Sequence, residues 1–247
     1  MNRRVALVTD AAMHLGPDLA RELARRGHDL VVGEPAEGLV AELEGLGAAV
    51  EAVSGVEDLS DPDSIQLVVS RGLERFGRLD SACVRTGRIE IGPTLDATMD
   101  TLNSQVAHNL AAVLHAIQAI LPPMLEQGGG QVVIVTSGTG DRPAVAAPLY
   151  SATRAAANML VRATALDMAD SGVTLNAVGT NYLDYPKFRE ATGADDPAIR
   201  EAIERQIPMR RLGQPEEVAH FVAALLDGKS NFQTGQFFAL SGGWNAA

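Results

Sequence analysis

The chain has 247 residues, a formal net charge of −11 and a single cysteine. That length suits one α/β domain around one core, so residues 1–247 are expected to form a single domain. The acidic balance, with no clustered Lys or Arg, excludes a nucleic-acid partner, and a lone Cys83 fits a reducing cytoplasm.

Short β-branched runs alternate with longer helical patterns. Arg4 to Thr9 reads as a strand and Gly16 to Arg26 as a helix closed by Gly27. Leu30 to Val32 (strand), Ala36 to Leu46 (helix) and Ala49 to Val53 (strand) follow, then a helix over Pro62 to Phe76 introduced by Ser60 or Asp61. Leu79 to Val84 and Gln131 to Thr136 read as strands flanking a long helix from Met99 to Leu121, ended by Pro122 and Pro123. Leu149 to Ala169 is a second long helix. Val173 to Val178 and Gly235 to Leu240 are strands, separated by a helix from Pro215 to Leu226 with proline at its first position. Strict alternation predicts a Rossmann-like, doubly wound, parallel seven-stranded sheet with helices on both faces. Asn181 to Ile199 is too long for an ordinary loop and reads as a substrate lid. The opening apolar run is too short for a secretory signal and no later run approaches the roughly 18 residues of a membrane span, so a soluble cytoplasmic protein with no membrane partner is expected.

A dinucleotide fold needs a glycine-rich turn after its first strand, because the pyrophosphate lies against backbone N–H groups at the next helix N-terminus. Here that turn is Thr9-Asp10-Ala11-Ala12-Met13-His14-Leu15-Gly16. Against the short-chain dehydrogenase pattern Thr-Gly-x-x-x-Gly-x-Gly, the first two glycines become Asp10 and His14. Asp10 adds a carboxylate where phosphate approaches, and His14 fills the path of the pyrophosphate or nicotinamide half, so loss of nucleotide binding is expected. The Asn-Asn-Ala-Gly that usually follows the fourth strand is Val84-Arg85-Thr86-Gly87. Asp58 matches the family's adenine-contacting aspartate, and Glu34 ends the second strand where a ribose-binding acid sits; these two keep a cofactor in play.

Ser137 ends the fifth predicted strand, and Tyr150 and Arg154 follow at the spacing Ser-x12-Tyr-x3-Arg. Residues four apart on a helix share a face, so the Arg154 guanidinium lies beside the Tyr150 phenol and favours the phenolate. Arginine supplies a fixed charge and, unlike lysine, gives up no proton. These three are the expected catalytic residues. His108, His115 and His220 have no metal-like spacing, so no metal is expected.

With Arg154 in place of lysine, and with Thr9, position 14 and Gly16 in the frame Thr-x4-aromatic-x-Gly, the sequence resembles the halohydrin dehalogenases, relatives of the short-chain dehydrogenases. His14 departs from that family's Phe or Tyr. Gly179-Thr180-Asn181-Tyr182-Leu183 resembles the dehalogenase halide loop. The resemblance implies a carbon–halogen lyase that works without a cofactor, converting vicinal halohydrins to epoxides plus halide and opening epoxides with azide, cyanide or nitrite. It assigns substrate and halide binding to His14, Thr180, Asn181, Tyr182 and Leu183, with the N–H groups of Tyr182 and Leu183 as an anion nest. It also implies a homotetramer joined through the two long helices. The alternative is an NAD(P)-dependent short-chain oxidoreductase with a divergent nucleotide loop, and a third possibility is an idle relative acting as a scaffold.

Overall fold

The computed structural model describes residues 3–246; Met1, Asn2 and Ala247, which the expected domain includes, lie outside the described residues. Seven parallel strands form one sheet in the order β3-β2-β1-β4-β5-β6-β7: β1 Arg4–Val8, β2 His28–Gly33, β3 Val50–Val53, β4 Ser81–Arg85, β5 Gly130–Ser137, β6 Val173–Thr180 and β7 Phe237–Leu240. Alternate β1 residues serve opposite faces. Val5 and Leu7 join Ile65, Ile117, Ile120 and Val161 from α3 (Pro62–Phe76), α5 (Ala112–Glu126) and α6 (Pro148–Asp167). Ala6 and Val8 join Leu19, Leu23, Val218 and Val222 from α1 (Gly16–Arg25) and α9 (Pro215–Leu226). Burial on both faces explains why these strands read as continuous apolar runs rather than alternating ones.

The remaining helices are α2 (Leu39–Gly45), α4 (Met99–Val106), α7 (Pro186–Thr192) and α8 (Pro197–Glu204). Three expectations change. The long helix is α4 and α5 joined by a π turn at Ala107–Ala111, and it runs through Pro122 and Pro123 to Glu126. Burial of Leu121 and Met124 holds this last turn although Pro122 and Pro123 have no N–H to donate to the Gln118 and Ala119 carbonyls. The stretch 181–199 is not irregular: it contains α7 and the start of α8. Asp184 anchors it, accepting from Arg189 at 2.7 Å and from Arg200 at 2.6 Å.

Strand order reverses between β1 and β4, and in such sheets ligands bind in the crevice outside the strand ends at that point. Thr9 and Arg85 close it: the Thr9 hydroxyl accepts from the Arg85 N–H at 2.9 Å. No helix among the described residues is long and apolar enough to cross a membrane.

Candidate active site

Ser137 ends β5, and its hydroxyl accepts from Thr139 N–H at 3.2 Å and meets the Thr139 hydroxyl at 3.0 Å. Tyr150 and Arg154 occupy the first two turns of α6, with the guanidinium carbon 5.2 Å from the phenol ring centre. The fold therefore brings Ser137, Tyr150 and Arg154 together. Burial pushes the Tyr150 phenol up, but the charge of Arg154, polar contact with Arg154 and Ser137, and the more distant charge of Arg85 outweigh it, leaving its pKa below the usual 10.

Arg154 is buried, donating to the Thr86 hydroxyl at 3.1 Å and to the Thr86 carbonyl. Asn109, in the π turn, is spent on structure: its amide accepts from Arg88 N–H and donates to the Arg88 carbonyl, Gln105 and Thr153.

His14 and Thr180 also meet, with Nε2 3.3 Å from the Thr180 hydroxyl, and the imidazole packs edge-on against Tyr185 with centroids 5.1 Å apart. Burial, with the Arg85 and Arg154 charges behind it, lowers the His14 pKa to about 3, so the ring is neutral. Asp10 pairs with Arg85, and burial still raises its carboxyl pKa against that charge. Of the expected halide-loop residues, Asn181 lies beside Gly138, the neighbour of Ser137. Asn181, Tyr182 and Leu183 line a cavity of about 260 Å³ with Ile207, Met209 and Leu240. Tyr182 donates to Gln206 at 3.2 Å and lies edge-on to Trp244, while Leu183 is buried and bridges to Gly213.

Sequence reasoning assigned no role to Arg85, Thr86, Thr139 or Tyr185. For Arg85 and Thr86 the signal was present, in the altered residues that stand where Asn-Asn-Ala-Gly is usual. Tyr185 gave none, because its partner His14 is remote in sequence. Among the described residues no group of three or more His, Cys, Asp or Glu is placed to hold a metal.

A dinucleotide meets a mixed site whose backbone fits it. Asp10 and His14 hold the left-handed conformation, φ 54° and 55°, that glycine usually supplies, and a Cβ on Gly16 would overlap the Asp10 carbonyl. The turn therefore keeps its cradle shape at the start of α1. Two side chains narrow it, Asp10 by charge and His14 by bulk.

A parallel sheet with a Ser-Tyr pair beside a fixed cation at its switch point defines the dehydrogenase-type Rossmann class. The chain belongs to the short-chain dehydrogenase/reductase family: residues 11–245 match the family model described as enoyl-(acyl carrier protein) reductase. It is similar to oxidoreductase UcpA of Escherichia coli (strain K12), 32% identical over 97% of this chain and 94% of that one. It is also similar to a cyclohexanol dehydrogenase of Acinetobacter sp. (strain SE19), 30% identical over 99% and 96%. Its fold superposes on an actinorhodin polyketide ketoreductase with NADPH at TM-score 0.89, 28% identity and coverage of 99% and 98%.

These relatives overturn the halohydrin dehalogenase expectation, its lyase class and its epoxide chemistry, since they are named as oxidoreductases and dehydrogenases.

Proposed function

We propose that the chain is a nicotinamide-dependent short-chain oxidoreductase that interconverts a small uncharged secondary alcohol and its ketone. The observation that carries this reading is the Tyr150 phenol held against the Arg154 guanidinium beside Ser137. When bound, the nicotinamide supplies hydride exchange with the carbinol carbon. The backbone at the start of α1 would take the pyrophosphate, with Glu34 and Asp58 toward the adenosine end. In the oxidative direction Tyr150, as phenolate, takes the hydroxyl proton, and in reduction it returns it. Ser137 hydrogen-bonds the same oxygen, fixing it as its charge changes. The Arg154 charge lowers the pH at which the phenolate forms.

The rim of the site supports an apolar substrate. Ile89, Ile91 and Leu95 after β4 and Val145 after β5 are exposed, and the two loops are tied by Gly92 N–H donating to the Ala146 carbonyl at 2.7 Å. The exposed Met159 and Leu166 on α6 and Leu114 on α5 support assembly of copies through these helices.

The test is NAD- or NADP-linked oxidation of cyclic and open-chain secondary alcohols, cyclohexanol included, followed by reduced-nicotinamide absorbance. Turnover that disappears in Tyr150→Phe supports the reading. Absence of turnover and of cofactor binding in the intact protein overturns it.

A further inference from the structure

Arg154 is a permanent cation, 3% exposed, and no carboxylate among the described residues forms a salt bridge with it. Its Nε has no hydrogen-bond partner. What holds the guanidinium is one residue on another element: Thr86, just beyond β4, accepts from Nη1 through its hydroxyl at 3.1 Å and from Nη2 through its carbonyl. We propose that Thr86 is a positioning residue for proton transfer, aiming the Arg154 guanidinium at the face of Tyr150. This rests on Tyr150 as the proton carrier of the reading above.

Three observations support it. First, Thr86 is itself fixed: it is buried, its N–H donates to the Val135 carbonyl of β5, and a β-branched side chain has few rotamers to choose from. Second, the next residue makes room. Gly87 has φ 109°, and a Cβ there would overlap Nη2 of Arg154 and lie 2.6 Å from the Asn109 carbonyl oxygen. Third, the substitutions come as a pair. Where the family pattern has alanine and lysine, this chain has Thr86 and Arg154, and the two altered side chains touch. A hydroxyl has no use opposite a flexible ammonium directed elsewhere, but it completes the planar fork of a guanidinium.

Neutrality is what makes threonine suitable. A carboxylate in its place would hold Arg154 more firmly and cancel its field at Tyr150, whereas a hydroxyl and a carbonyl orient the cation and leave its charge to act. The groups facing Tyr150 are then Arg154 from its own helix, Ser137 from β5, Arg85 from the end of β4, Tyr185 at the start of α7 and the neutral His14 behind them. Among the described residues, the cation found over the ring face is Arg154.

The experiment is an alkaline titration of tyrosinate absorbance in substrate-free and cofactor-free protein. The chain has three tyrosines, and burial holds Tyr182 and Tyr185 above the ordinary value, so Tyr150 ionises first. Tyr150→Phe identifies that step by abolishing it. Thr86→Ala, the residue of the family pattern, is expected to move the step up by about half to one pH unit, a fraction of the worth of one hydrogen bond to a charged group. Thr86→Ser restores the hydroxyl and is expected to return the step to its original place. A midpoint in folded Thr86→Ala that stays put or falls overturns the proposal, as does Thr86→Ser behaving like the alanine variant. Because the titration needs no turnover, a protein inactive toward every alcohol still decides this point.

Discussion

The carboxylate of Asp10 and the guanidinium of Arg85 are paired across the tips of the two central strands, where the sheet order reverses. Arg85 thereby neutralises the charge that Asp10 brings to a phosphate-binding turn, while the Asp10 side chain still occupies it. Asp10→Gly keeps the φ of 54° without strain, removes the negative charge and frees Arg85 toward an incoming pyrophosphate. Removing about 1.4 kcal/mol of repulsion at an effective dielectric near that of a protein surface corresponds to roughly tenfold tighter binding of reduced nicotinamide dinucleotide. Fluorescence titration measures it. Equal affinity in the two proteins would mean that neither the Asp10 charge nor the freed Arg85 acts on the dinucleotide.

His14 links the same turn to acid stability. Its pKa is about 3 in the folded chain and about 6.5 unfolded, so the unfolded state binds the extra proton between these values. The folded state therefore loses stability as pH falls below 6.5 and keeps losing it toward pH 3. At pH 5 the loss from this group alone is about 2 kcal/mol relative to pH 8. His14→Gln has no proton to gain, so its thermal midpoint is expected to fall less between those pH values than that of the intact protein. Parallel falls in both would place the acid sensitivity elsewhere.

The sequence carried the fold more clearly than the function. The bounds of α3 and α9 coincide with those expected, because a proline opens each helix and the left-handed Gly77 closes α3. Helices α7 and α8 were not legible: at seven and eight residues they are too short for a 3.6-residue period to show. Ser137, Tyr150 and Arg154 were legible as a unit because one strand and the following helix carry all three. The contact of His14 with Thr180 and Tyr185 was not, since it joins residues more than 160 positions apart, and no local pattern encodes such a meeting. The dehalogenase reading rested on substitutions at 14, 154 and 180–183. Of these, Arg154 is held by Thr86, a contact that serves a dehydrogenase as well as a dehalogenase, so the substitution does not by itself select halide chemistry.

Tyr150 sets the pH dependence. Alcohol oxidation requires its phenolate, so kcat/KM in that direction is expected to rise with pH and level off at a midpoint below 10, because the folded pKa is lowered from that value. Ketone reduction requires the phenol and falls over the same range. Tyr150→Phe loses at least about 100-fold in both directions, the usual contribution of a positioned acid–base group. A variant profile with the original midpoint would assign the titration to another residue.

Gly87 connects the site to the stability of the whole chain. Its φ of 109° lies outside what a side chain tolerates easily, and an alanine Cβ there would overlap the Arg154 guanidinium, which is hemmed in by Thr86 and Asn109. Gly87→Ala must therefore strain the backbone, costing about 1 to 3 kcal/mol, and push a buried charge away from its acceptors, costing about as much again. A thermal midpoint lowered by several degrees is expected, as is a Tyr150 titration moved upward, since the displaced guanidinium no longer faces the ring. Gly92→Ala is the control: the position is open, with nothing within reach of an added methyl, so neither midpoint should move. If Gly87→Ala melts normally and its Tyr150 still ionises at the original pH, Arg154 has a second resting place, and the close fit around its guanidinium is not what holds the phenolate.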